Sequence, residues 1–312
     1  MDKKEKFQTS DAIVLAQWLK TQIEAVPLDA STQASASLFV LVDVARMESA
    51  KAVEDSLKPM CAEGHNPINL YADFDGHEVS KVGPRLCRLA VTDNHLQQVS
   101  QYALETAAIS FLFGRCTTDA LAQHLMDLRE VSLPDGTRAL FRFQDVNVTA
   151  ALWPLLRRDQ VNRLLGPLHQ WIVLDVCGTA QVILQPKPYA AKDTLTLMTQ
   201  QLEFLDGTLL VHTVTEQVNQ TDETLLHGLT PCATYQLLAQ RIAQARALGL
   251  RGNSDISLYC VLSLQFPPGF ETQEPFAQAL EQAREGLTGF GTALDGVPPS
   301  QWQAWDEKLN LK

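Results

Sequence analysis

The sequence predicts an α/β protein, with an N-terminal mixed sheet flanked by helices and a C-terminal all-helical lobe. Three observations carry this. Short continuous apolar runs of strand length recur up to about residue 190, helical stripes alternate with them, and beyond that point the helical period dominates. The expected division is an N-terminal helix and connector over 1–35, an α/β domain over 36–190 and a helical lobe over 191–312.

The first helix is "SDAIVLAQWLKTQIEA", with Ser10 or Asp11 as cap and a broad apolar face, followed by the connector "VPLDASTQASAS". "LFVLVDVA", residues 38–45, reads as a strand buried on both faces. "MESAKAVEDSLKPM" is a helix and "INLYADFDG" a second strand, and this β–α–β order implies a mixed or parallel sheet with a crossover helix. "NHLQQVSQYAL" is helical, "AISFLFG" a strand, and "TTDALAQHLMDLRE" a helix capped by Thr117 or Thr118. In "PDGTRALFRFQDV", residues 134–146, a Pro-Asp-Gly turn leads into an alternating strand. Thr137, Ala139, Phe141 and Phe143 point one way, and Arg138, Leu140 and Arg142 the other. If the strand stays extended, Arg142 and Asp145 face opposite sides; a direct pair needs a bend at Gln144, and otherwise His124 or Asp43 are candidate partners. A helical stretch interrupted at Pro154 ends at Gly166–Pro167, and "WIVLDV" and "AQVILQP" form a hairpin.

In the second half, Met198, Leu202, Leu205 and Leu209 form a stripe despite Gly207. Thr230–Pro231 starts a helix stopped by Gly249, Pro275 starts another, and a last one carries Trp302 and Trp305. "ISLYCVLSLQF", residues 256–266, has strand-like composition but equally suits a buried helix capped by Ser254 or Asp255.

The chain of 312 residues carries a net charge of −11, which argues against a nucleic-acid or anionic-membrane surface. Its densest basic cluster, "LRRDQVNR", reads as a solvated helix face. Six scattered cysteines without a CxxC pair read as reduced, mostly buried thiols. A charged start without a signal-peptide core, and no run long enough to span a bilayer, lead to the expectation of a cytoplasmic protein.

Catalytic patterns are scarce. The seven histidines form no HxH or HExxH spacing, and neither a Walker loop nor GxSxG occurs. "GLTGFG", residues 286–291, follows a helix, the wrong context for a phosphate cradle. His124 borders an apolar stripe and reads as a core-edge histidine rather than a base. Asp73 and Asp75 read as turn and cap chemistry, and no metal or cofactor is expected. Trp302 and Trp305 are the candidate partner-binding anchors, although their i, i+3 spacing also suits ordinary packing.

"LFVLVDVAR", "GPRLCRL", "HLMDLREVSLPDGTRALFRFQDV" and "LLGPLHQW" follow one another in an order that resembles the type VI secretion adaptor-chaperones, the Tap/Tec family. The resemblance covers about residues 36–175 and places the family's signature on Asp43, Gly83, Pro84, His124, Arg142, Asp145, Gly166 and Pro167. The chain departs from the family's pattern at Val44, Gln144 and Val146. The resemblance implies a helix over 256–266 and a non-enzymatic protein that binds a toxic effector and loads it onto the VgrG spike. Rival readings are a hydrolase or transferase using Arg142, Asp145 and His124, and a toxin-binding immunity protein. The scaffold reading expects loss of Arg142 to cost about 3–5 kcal/mol, as for a buried ion pair losing one partner.

Overall fold

The computed structural model describes residues 7–27, 36–47, 49–74, 77–186 and 194–310. It resolves into two compact units, 1–207 and 208–312, each taken by itself below.

In the first unit, helix α1 (Ala12–Glu24) starts at Asp11, whose carboxylate accepts from the Ile13 and Val14 amides. Strand β1 (Ser37–Val42) is buried along its whole length, as its unbroken apolar run predicts. Helix α2 (Ala50–Leu57), capped by Ser49, leads through a 3₁₀ turn to the short strand β2 (Ile68–Asn69). Helix α3 (Glu78–Lys81) and strand β3 (Arg85–Arg88) follow, then helix α4 (Asp93–Thr106) and strand β4 (Ile109–Gly114). Helix α5 (Thr118–Asp127), capped by Thr117, precedes the hairpin of β5 (Glu130–Ser132) and β6 (Arg138–Leu140). Helices α6 (Val146–Leu152) and α7 (Arg158–Leu165) flank a 3₁₀ turn at Trp153–Leu155 that absorbs Pro154. The hairpin of β7 (Leu168–Leu174) and β8 (Ala180–Leu184) completes the main sheet, and β9 (Leu195–Thr196) joins the small one.

The main sheet has the order β2-β3-β1-β4-β7-β8, and every pairing in it is antiparallel. This corrects the strand directions expected for it. A crossover helix is present, but β1 is antiparallel to both β3 and β4. Those two strands therefore run parallel without touching, and α4 joins them across the strand wedged between. The parallel pairing is instead β5 with β9, in the smaller sheet β6-β5-β9. The expected strand "INLYADFDG" also shrinks to Ile68–Asn69, because the chain turns back at Tyr71, where the Phe74 amide bonds its carbonyl at 3.0 Å.

One face of the main sheet packs Leu38, Val40, Phe111, Phe113 and Ile172 against Leu15 and Leu19 of α1, Val53 of α2 and Val99 of α4. Each such side chain contributes roughly 1.5–3 kcal/mol by leaving water. Alternation sends Phe39, Leu41, Leu112 and Trp171 to the other face. There the Phe143 ring meets Trp171 edge-on, 6.4 Å between centroids.

Helix α8 (Thr199–Asp222) runs across the division between the units. Of the expected stripe, Leu205 is buried, Leu202 and Leu209 are half-buried and Met198 is exposed, and the buried face continues in the second unit with Leu210, Val211, Val214 and Val218. The second unit is helical: α9 (Pro231–Ala247), α10 (Asn253–Gln265), α11 (Phe276–Arg284), α12 (Phe290–Asp295) and α13 (Pro299–Asn310). Residues 256–266 thus lie almost wholly in a helix. Its cap is Gly252, not Ser254 or Asp255, because the Asp255 carboxylate instead accepts from the Gly291 amide of α12 at 3.1 Å. That bond also explains "GLTGFG": it begins a short helix that sequence reading does not anticipate.

Cys61 and Cys87 form a disulfide with their Cα atoms 5.9 Å apart, which corrects the expectation of reduced thiols throughout. Cys116 and Cys260 are free thiols, pushed up by burial to about 11 and about 12. With a sequence separation of 26 residues, the Cys61–Cys87 link removes chain entropy from the unfolded state worth about 3 kcal/mol. The double variant Cys61→Ala/Cys87→Ala should lose about that much in urea unfolding relative to the oxidised protein. Non-reducing digestion should yield the two peptides joined.

Candidate functional site

Around the C-terminal end of β1 the chain assembles a cluster of charges. Asp43 follows the last residue of β1 and is 0% exposed. Its amide donates to the Ala108 carbonyl at 2.8 Å, which fixes its position beside the start of β4. Arg142 donates from Nη2 to Asp43 Oδ2 at 2.9 Å. The Pro-Asp-Gly turn and the alternation of Phe141 and Phe143 hold as predicted, but the β6 ladder stops at Leu140. The chain then bends, the Asp145 amide bonding the Arg142 carbonyl at 3.0 Å. That bend at Gln144 lets Arg142 also approach Asp145, at 3.6 Å.

Asp145 has a second task. It caps α6, accepting from the Asn147 amide at 3.0 Å, and meets Arg46 at 3.6 Å. Arg46 sits one 3₁₀ turn after Asp43, and that spacing is its signal in the sequence. Gln144 is buried and accepts from the Tyr71 hydroxyl at 3.4 Å. Burial raises the Asp43 carboxyl above its usual range, with Arg142 pulling the other way. Its second oxygen, Oδ1, is buried without a hydrogen-bond partner among the described residues.

His124 lies elsewhere and touches none of these groups. From α5 its Nε2–H donates to the Leu164 carbonyl at 3.0 Å, and Nδ1 accepts from Arg163 at 3.4 Å. Those two partners select the neutral tautomer, and burial lowers the ring to about 4. Gly166 follows α7 at φ +53°, and a Cβ there would overlap the imidazole. Pro167 stands between this close approach and β7.

Gly83 and Pro84 form a third locus. A Cβ at Gly83 would collide with Asn69 and Tyr71, and the Pro84 carbonyl accepts from the Leu70 amide at 3.0 Å. Beside them the buried Arg85 donates to the Gly83 carbonyl and, at 2.6 Å, to Glu54 of α2. Asp73 is bound in bidentate fashion by Arg129, whose guanidinium also covers the Phe74 ring at 4.7 Å. Asp75 lies outside the described residues. No group of three or more His, Cys, Asp or Glu able to hold a metal occurs among the described residues.

Trp305 is 3% exposed and sits in the core of the second unit, its ring 5.1 Å from Phe276 and 5.8 Å from Phe266. Its role there is packing, so of the two candidate anchors Trp302 alone keeps partial exposure.

With this geometry in place, comparison with known proteins gives one match. Residues 38–163 match the family model of a domain of unknown function, DUF4123. The matched segment runs from β1 into α7, less than half of the chain, and contains the whole Asp43–Arg142–Asp145 cluster together with Gly83, Pro84 and His124. It ends before Gly166 and Pro167. No curated protein and no solved structure matches the chain. No helix among the described residues is long and apolar enough to cross a membrane.

The Asp43–Arg142 pair and the buried His124 are each open to a direct test. The Arg142 side chain is 45% exposed, so its removal should cost about 2 kcal/mol rather than the full penalty of a wholly buried pair. In an Asp43→Asn background, where no charge is stranded, the same change should cost less than about 1 kcal/mol. Urea midpoints of the four proteins give the coupling. For His124, the unfolded ring takes up its proton near 6.5 and the folded ring only near 4, so stability falls as pH drops through that window. The loss amounts to about 3 kcal/mol, and His124→Asn should flatten that part of the pH profile.

Proposed function

We propose that this chain is an adaptor-chaperone of the type VI secretion system, binding an effector and presenting it to the VgrG spike. The observation that carries the reading is the DUF4123 match over residues 38–163, a domain known from proteins associated with that system. The site chemistry agrees. Arg142 bonds Asp43, Asp145 caps α6, and His124 bonds the Leu164 carbonyl and Arg163, so each of these side chains has a structural partner. Such groups hold loops in place for a binding surface. On this reading the protein works in the cytoplasm of the producing cell and performs no reaction. It acts by mass action, stabilising the loading-competent form of its partner.

Co-expression with the product of the adjacent effector gene tests this. A complex that survives gel filtration in moderate salt, and that recruits VgrG, is the expected result. Absence of any complex with effector or spike overturns it. Protection of cells from the toxin by this chain alone, without spike binding, would transfer the reading to an immunity protein.

A further inference from the structure

Beside the charge cluster, α2 and α4 leave a groove of about 330 Å³ open to solvent, the size of a site that receives a ligand or a few anchoring side chains. Val42 and Ile109, paired across β1 and β4, lie at its base, and Val53, Leu57 and Met60 line it from α2 and the turn that follows. Tyr102 of α4, 37% exposed, stands at the edge. The lining is mainly apolar and, through Met47 and Met60, adaptable in shape. Two helices bounding an apolar trough are the arrangement into which a third helix lays its apolar face.

Arg46 borders this groove, and its charge selects the occupant. Its side chain is 28% exposed, and its charged neighbour Asp145 stands at 3.6 Å, beyond hydrogen-bonding length. Among the described residues the guanidinium forms no hydrogen bond, although it has five donors in a fork that matches a carboxylate. Glu105 lines the same groove, so a carboxylate is favoured beside Arg46 and repelled toward Glu105. We infer that the groove docks an amphipathic helix of the partner protein, with Leu, Met or Phe side chains in the trough and an adjacent Asp or Glu on Arg46. This rests on the adaptor reading and names the part of the partner that the adaptor grips.

The probes are two short amphipathic peptides, identical except for Glu or Lys beside a Leu-Phe anchor, followed by fluorescence polarisation. The Glu peptide should bind about tenfold more tightly than the Lys peptide, and Arg46→Glu should reverse that order. Ala52→Trp fills the groove from an exposed helix position and should weaken the Glu peptide by about tenfold, with the thermal midpoint unchanged. Equal binding of the two peptides, no binding of either, or unaltered binding by Ala52→Trp overturns the proposal. The effector complex separates this inference from the reading beneath it. If Ala52→Trp keeps the complex intact, the groove is not the grip and the adaptor reading stands. If wild type shows the Glu preference but forms no effector complex, the groove stands and the adaptor reading falls.

Discussion

A carboxylate with no exposure to water, at the end of the central strand β1, is the constraint around which the first unit is arranged. Asp43 is held by its own amide to Ala108 and by Arg142 across 99 residues of chain. An ionised carboxylate in such a place is tolerable only with a cation brought to it. Arg142 reaches it only because the chain leaves β6 and turns, and that same turn delivers Asp145 to the start of α6. One buried charge thus ties the sheet to a loop and the loop to a helix. The raised Asp43 carboxyl shows that the pairing offsets part of the cost of burial and not all of it.

Other buried contacts serve the same end by different means. His124 is neutral and works as a two-ended hydrogen-bonding strut between α5 and the end of α7, with Gly166 clearing space for its ring. Gly83 clears space for Tyr71, whose hydroxyl leads back to Gln144 and so to the loop that carries Arg142. Cys61 and Cys87 join the segment after α2 to β3. Each device fixes a loop end that propensity alone would leave loose.

Of these fixed segments, the one that follows Asp43 borders the α2–α4 groove, through Arg46, Met47 and Ser49. Arg46 belongs to both, closing the charge cluster on one side and bordering the apolar trough on the other. A scaffold role for the signature residues and a binding role for the neighbouring surface are therefore compatible. On the docking proposal, the segment after Asp43 holds one rim of the groove in shape, which would lower the entropy lost on binding.

The sequence by itself determined the class of the protein, most of its helices and the strands whose apolar runs are continuous. Those signals are local: caps such as Asp11 and Thr117, the period of α4, the turn before Thr137. The family resemblance of its ordered motifs marked Asp43, Arg142, Asp145, His124 and Gly166, and Asp43 stood among the candidate partners of Arg142. Tertiary structure alone decided strand direction, because an apolar run carries no sign of which neighbour it will pair with, and β1 slots between two strands joined around it. It likewise decided the disulfide, the diversion of Asp255 to another helix, and the fate of Trp305, which has a core to fill. Arg46 and Tyr71 escaped sequence reading for the same physical reason: their partners lie far away in the chain, and only the folded backbone brings them within bonding distance.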